Sequence, residues 1–369
     1  MAENNVLFDL VYLLSCAINE KKPDPERVSK MNLDKIYALS ERHMIKAAVA
    51  ESVEAAGFKY ARFSEAAAAS LRRTVIFEKE WGLIKARFEA ENIKFAALKG
   101  AVLRSYYPKY GMREFADNDI LIDASRADDV RAIMEELGYS VIQFGASNHD
   151  VYQKPPFLNF EIHTLLYGTA HDKLFYEYYL NVFDRLRGDG CEKRFSDEDF
   201  YIHMISHEYK HYSHGGTGLR SLADTYVFLH KKNIDTDYVR AETEKLGIRE
   251  FEEENRALST DLFDLKELTE KEKEMLSYIV SSGTYGTITH SVENTIKKNG
   301  GSKLKYMIDR FTVPFCKKDK RYNSYAGAYP FFYKYKIFLP FLPFYRLIRS
   351  FISGKFKAEA RAIKRAKKQ

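Results

Sequence analysis

The 369-residue chain predicts an α/β protein (α+β in layout), with a small mixed sheet flanked by helical N- and C-terminal domains. Three observations predict it. Over residues 1–90 apolar side chains recur at three- and four-residue spacing. Residues 91–173 carry short alternating runs, the mark of strands, broken by one amphipathic helix. Helical spacing then returns over residues 174–298. These limits define the expected helical N-terminal domain, α/β core and helical closing domain. A basic, aromatic-rich tail follows from 299 to 369.

Each element has its own signal. Val6 to Ile18 is apolar but broken by Asp9, with no Lys or Arg before it, so it reads as an amphipathic helix and not a secretory leader. Leu33 to Ala56 is Ala-rich at helical spacing, and Ser64 is the expected N-cap of a long helix reaching about Ala90. Ile93 to Leu98 is a short apolar run ending in Lys99-Gly100, a strand entering a turn. One or two helical turns follow over Ala101 to Tyr107, stopped by Pro108. Asp117 to Asp123 alternates with strand periodicity. Ser125 and Asp128 have capping-box spacing. Val130, Ile133, Met134 and Leu137 then form an apolar helix face that ends at Gly138. Tyr139 to Phe144, Asp150 to Gln153 and Leu158 to Leu165 read as further strands. Helices are expected again from Asp197 to Leu229 and from Asp235 to Leu246. Glu250 to Glu254 reads as a solvated acidic run and Gly300-Gly301 as a hinge.

Composition narrows the class. Hydrophobic residues make up 45% of the chain, with 26 Tyr and 26 Phe, so a packed core is expected and wholesale disorder is not. The three cysteines, Cys16, Cys191 and Cys316, are far apart and form no CxxC. That pattern indicates neither a disulfide framework nor a thiolate zinc site, and it fits a reducing cytoplasm. No uncharged run reaches the ~18 residues that a spanning helix needs. The net charge of +6 hides an asymmetry: from Ile296 onward there are 20 Lys and Arg against 3 Asp and Glu, and the remainder holds 38 against 49. A basic tail on an acidic body predicts contact with nucleic acid, with an anionic lipid surface, or with the body itself.

The chemistry concentrates in the predicted core. Asp117 and Asp119 are two residues apart on a strand, so their side chains share a face. Adjacent carboxylates repel unless a cation neutralises them, and magnesium suits one or two carboxylates together with triphosphate oxygens. A third carboxylate would complete a two-metal site. Glu161 is the choice: in Asn159-Phe160-Glu161-Ile162-His163, Phe160 and Ile162 face the core while Asn159, Glu161 and His163 face away. Asp123 is the rival, but it lies about 13 Å along the strand from Asp119. The Lys99-Gly100 turn lets backbone N–H groups approach phosphate, Lys99 adds a point charge, and Arg113 is placed to do the same.

These residues carry a resemblance. Leu98-Lys99-Gly100, then Tyr107-Pro108, Arg113 and Asp117-Asn118-Asp119-Ile120-Leu121 resemble the uncharacterised bacterial nucleotidyltransferase family of the polymerase-β-like superfamily. The later Glu161-Ile162-His163 matches its Glu-x-His. His207, His211, Arg220 and Asp224 match its helix of spaced histidines and Arg-x-x-x-Asp. The resemblance covers roughly residues 90 to 230. It implies an enzyme with the superfamily fold, two magnesium ions and a nucleoside triphosphate donor. A nucleotidyl group would pass to an acceptor hydroxyl on a small molecule, sugar, protein or RNA, with release of pyrophosphate. Asp117, Asp119 and Glu161 would hold the metal; Lys99, Gly100, Arg113, His163 and His211 would contact the nucleotide. Two departures stand out. The turn is Lys99-Gly100 where Gly-Gly or Gly-Ser is usual, and Asn118 replaces an apolar residue and needs a partner in the core.

Two other patterns compete. His207-Glu208-Tyr209-Lys210-His211 spells HExxH, the zinc metallohydrolase pattern on a helix at 200–214, although the extended motif's Gly is absent. In the alternative, Lys210, His211 and His214 line the nucleotide cleft, and Arg220 pairs with Asp224 one turn on. A catalytically inactive nucleotide-binding or membrane-associated module is the third option. The tail, aromatic from Tyr329 to Ile352 and basic from Lys355 to Gln369, reads as an interfacial segment on anionic lipid, a nucleic-acid contact, or aromatics docked on the acidic body. The expected location is cytoplasmic, at a membrane periphery if the tail binds lipid.

Overall fold

The computed structural model describes residues 2–168, 173–317, 319 and 322–365. Residues 169–172 of the expected core, and residues 318, 320–321 and 366–369 of the expected tail, lie outside the described residues. Five strands form one mixed sheet: β1 (Phe95–Ala97), β2 (Asn118–Ile122), β3 (Ser140–Gln143), β4 (His149–Lys154) and β5 (Leu158–His163). Their order is β1-β2-β5-β4-β3. The β2 and β5 strands run parallel, and the other neighbours are antiparallel. Helices flank the sheet, as the sequence predicts.

Strand alternation divides the sheet into two faces. On one, Ile120, Ile122, Tyr152, Phe160 and Ile162 pack against Phe77, Trp81, Ile84 and Phe88 of the Ala61–Ala90 helix, and against the Ala127–Glu136 helix. The Phe160 ring lies 5.3 Å from Phe77 and 5.6 Å from Tyr139. Burying one such side chain contributes roughly 1.5–3 kcal/mol. Leu121 faces the other way. It joins a larger core that draws on the Ala2–Ile18 helix and on helices Asp197–Tyr212, Leu219–Lys231 and Arg249–Phe263. Asp119 and Glu161 share the Leu121 side of the pleat, so the charged residues meet beneath the helical body.

Several expectations shift in detail. The Leu33–Ala56 run divides into helices Leu33–Arg42 and Lys46–Ala55, because Met44 between them turns to a φ of 53°. The long helix begins at Ala61, one turn before Ser64, with no side-chain cap on it. Ser125 does not open a capping box: Asp123 accepts from the Ser125 backbone N–H at 3.0 Å and caps the turn leading into the Ala127–Glu136 helix. The Asp197–Leu229 helical stretch is two helices, parted by a loop at residues 213–218. The acidic run at 250–254 is not wholly solvated. Within its helix Glu252 is buried and accepts from Tyr201 and Arg256. Asn118 finds the partners it needs in Arg104 Nη2 and the Asn159 carbonyl, each at 3.2 Å.

The end of the tail packs on the body. Helices Ile288–Lys298 and Lys355–Arg365 meet across buried Val292, Ile296 and Ala362. Many of the aromatics expected to dock are exposed instead, among them Phe331, Phe341, Phe344 and Phe351.

Candidate functional site

Register brings the acids together. Asp119 of β2 is the direct parallel partner of Glu161 of β5. Two residues further along, His163 stands opposite His149 of the antiparallel neighbour β4. Odd-numbered positions on three adjacent strands therefore supply Asp119, Glu161, His163 and His149 to one face. Asp117 is exposed and lies immediately before β2 rather than within it.

Asp119 is buried and already balanced. Lys99 Nζ lies 3.0 Å and His163 Nε2 2.8 Å from its Oδ1. Burial alone would raise the carboxyl pKa, but Lys99 and His163 outweigh it and hold the group well below the usual carboxylate range. Burial keeps the His163 imidazole neutral despite Asp119. A carboxylate only accepts, so the His163 proton sits on Nε2 and is donated to Asp119. Its Nδ1 faces Asn148 Nδ2 at 3.5 Å.

Glu161 is not balanced. Among the described residues its ion-pair contacts are His149 Nε2 at 3.7 Å and His163 Nε2 at 4.0 Å. Burial also keeps His149 neutral, at about 4. Burial first, then Asp119 and Asp117, push the Glu161 carboxyl up to about 7. An excess of negative charge on oxygen donors is what a hard divalent cation relieves, and the combined action of Asp119 and Asp117 on the half-buried Glu161 is such an excess, although the three carboxylates do not close to within 4.8 Å of one another. His149, Glu161 and His163 also form a cluster whose ligand-capable atoms all lie within 4.8 Å of one another.

The Lys99-Gly100 turn is tightly built. Lys99 has a φ of 39°, a conformation that costs an L-residue roughly 1–2 kcal/mol, and it carries the ammonium that meets Asp119. At Gly100 an added Cβ would stand 2.6 Å from Arg113 Nη1, so the glycine is needed for close approach. Arg113 is buried and engaged. Its Nε and Nη2 donate to the two Asp224 carboxylate oxygens, each at 2.7 Å, and the Tyr107 hydroxyl adds a third bond at 2.8 Å. The expected Arg220–Asp224 pair is absent from the described contacts because Arg113 holds that carboxylate at bidentate geometry. Arg220 donates to the Glu114 carbonyl at 3.0 Å.

The Asp197–Tyr212 helix, capped by Ser196, supplies the next group of side chains. Lys210 makes no ion pair among the described residues. Burial and then Lys99 bring its pKa down to about 8, against the pull of Asp119 and Glu161. His207 and His211 face each other with 3.1 Å between their Nε2 atoms. Glu208 points elsewhere: it is buried and accepts from Asn255 Nδ2 at 2.9 Å. The three residues of the HExxH pattern therefore do not converge on one point. His203 is enclosed by Tyr167, Tyr179 and Phe195.

The sequence reading missed His149, because the strand was begun at Asp150. One more residue of alternation would have placed it on the Glu161 face. It also missed the Arg113–Asp224 contact, which spans 111 residues and leaves no local signal.

A family model described as "Uncharacterised nucleotidyltransferase" matches residues 29–264, and the chain belongs to this family. No curated protein and no solved structure matches it. No described helix is long and apolar enough to cross a membrane.

Proposed function

We propose that this member of the nucleotidyltransferase family moves a nucleotidyl group from a nucleoside triphosphate to an acceptor hydroxyl, using the Asp117, Asp119 and Glu161 face. One observation carries the reading: Asp119 and Glu161 are direct partners on parallel strands, and Lys99 lies 3.0 Å from Asp119. The acceptor oxygen bonds to the α-phosphorus, the bond from that phosphorus to the α–β bridging oxygen breaks, and pyrophosphate leaves. Bound magnesium would supply charge neutralisation on the triphosphate and a lowered pKa for the attacking hydroxyl.

The chain's own residues do the rest. Asp117, Asp119 and Glu161 hold the cations. Glu161, beside Asp119 on the neighbouring strand, is our choice of group to take the acceptor proton. His163 is a positioning residue: its Nε2–H fixes the orientation of Asp119. Lys99 and Lys210 set positive charge beside the triphosphate, with the Gly100 turn allowing close approach and His211 at the edge. Arg113 acts mainly through Asp224, holding the Gly100 turn against the Leu219–Lys231 helix.

The test is incubation with each α-labelled nucleoside triphosphate and magnesium, with hydroxyl-bearing small molecules, sugars, protein and RNA offered as acceptors. Label transfer and pyrophosphate release are expected from the unaltered chain and not from Asp117→Asn with Asp119→Asn. Equal pyrophosphate release by the double variant would remove the assignment.

A further inference from the structure

More than half of the exposed large apolar side chains among the described residues lie between Leu304 and Ile352, in the one strongly basic part of the chain. They are ordered rather than scattered. In the Lys303–Thr312 helix Leu304, Met307, Ile308 and Phe311 repeat at helical spacing, and all four are exposed. In the Leu342–Ile352 helix Phe344, Tyr345, Ile348, Phe351 and Ile352 share a face to solvent, with Ile352 83% exposed, while Leu342, Pro343 and Ser350 are buried. The two helices touch, since Arg346 Nη1 donates to the Arg310 carbonyl at 2.9 Å. An exposed apolar surface of this extent marks an interaction site.

We propose that this surface lies on an anionic lipid bilayer, with the two apolar helix faces in the headgroup–acyl boundary and the neighbouring cations on lipid phosphates. Charge complementarity identifies the occupant. Arg349, Lys355, Lys357, Arg361 and Lys364 are exposed and make no ion pair among the described residues. The acid among them, Glu359, is buried against Arg310 and Tyr306. Amphipathic helices with aromatic and aliphatic residues on one side and Lys and Arg on the other have the composition of interfacial segments. The aliphatic content decides against nucleic acid: Leu304, Met307, Ile308, Ile348 and Ile352 offer no ring on which a base can stack. Because no described helix is suited to crossing the bilayer, these helices lie along it.

The experiment is co-sedimentation of the full chain with phosphatidylcholine vesicles and with vesicles containing phosphatidylglycerol, at low and high salt. Association with the anionic vesicles is expected, weakened by salt. Ile348→Asp with Ile352→Asp should lower the apparent affinity at least about tenfold, and so should Arg349→Glu with Lys355→Glu. All four residues are exposed, so the melting curves should remain those of the unaltered chain. Three results would each overturn the proposal. The first is no association with either vesicle. The second is binding to an RNA or DNA oligonucleotide that these variants abolish while vesicle binding stays. The third is concentration-dependent self-association abolished by the apolar variant, with no lipid binding, which would make a second copy the occupant.

Discussion

Glu161 stands directly beside Asp119 on the parallel pair of strands, and of the two only Asp119 has a lysine or arginine partner among the described residues. Neighbouring strands are about 4.8 Å apart, so the two carboxyl groups share a narrow strip of sheet. Lys99 and His163 both favour an ionised Asp119, and burial first, then that fixed charge, raises Glu161. The asymmetry gives the face an anionic partner for a cation and a second carboxyl that titrates near neutrality.

Replacing Glu161 by Gln should expose this tension. In the folded chain Glu161 titrates at about 7, above its ordinary value, so the folded state holds a proton that the unfolded state has lost. Stability is therefore lost as pH rises from about 4.5 to 7. Without divalent ions, Glu161→Gln should match the unaltered chain near pH 4 and exceed it by about 1 kcal/mol at pH 8, after allowance for partial exposure. Added magnesium or manganese should raise the melting temperature of the unaltered chain more than that of the variant. Equal shifts at pH 8 would mean that residue 161 does not touch the ion.

Lys99 serves Asp119 as a built-in counter-ion, which makes it a competitor of any metal. Lys99→Met leaves a buried carboxylate with His163 as its remaining close partner. The metal-free variant should lose roughly 3 kcal/mol. It should recover part of that loss with divalent cations and so show a larger melting shift than the unaltered chain. Nucleotide affinity, measured by calorimetry, should fall. A variant with unchanged nucleotide affinity would place the triphosphate away from Lys99.

The part of this site that was legible in sequence is the part written by strand alternation. Period two placed Asp119, Glu161 and His163 on one face, and the apolar Phe160 and Ile162 on the other, without any knowledge of the tertiary fold. The core helix behind the sheet was equally clear from Val130, Ile133 and Met134. Boundaries were less clear, because Asp117 and Asp123 continue the alternation past the ends of β2, and hydrogen bonding stops where the partner strand stops. Long-range choices left no trace. Arg113 had a carboxylate waiting 111 residues away, and nothing near Arg113 or Asp224 announces the other. The HExxH spelling stayed an open alternative for the same reason: which way Glu208 points, toward Asn255, a partner 47 residues on, and not toward His207 and His211, is not written near it.

The Arg113–Asp224 pair should act as the clamp between the turn after β1 and the Leu219–Lys231 helix. Asp224→Asn keeps the shape but leaves the buried guanidinium without its counter-charge, and should cost about 3–5 kcal/mol in urea denaturation. Pairing it with Arg113→Met should recover a large part of that loss, giving a coupling energy of on the order of 2 kcal/mol. Gly100→Ala tests the same clamp from the other side, since its methyl would meet Arg113 Nη1. Additive losses in the double variant would show that the two side chains do not depend on each other.

Glu208 offers the cleanest pH signature, because it is buried and lies outside the proposed metal set. Burial pushes its carboxyl up to about 7, against the neighbouring Ser221 and the hydrogen bond from Asn255, which favour ionisation. Between about 4.5 and 7 the folded chain keeps this proton while the unfolded chain releases it, so stability declines with rising pH across that window. The full span is on the order of 3 kcal/mol for one buried carboxyl. Glu208→Gln cannot titrate and should flatten this component of the stability curve, matching the unaltered chain best near pH 4 and standing above it near pH 8. Zinc content, measured on the same samples, should be unaffected. A variant that lost stability near pH 8 and not near pH 4 would show that the ionised carboxylate is the form the fold requires, and one that lost bound zinc would restore the HExxH reading.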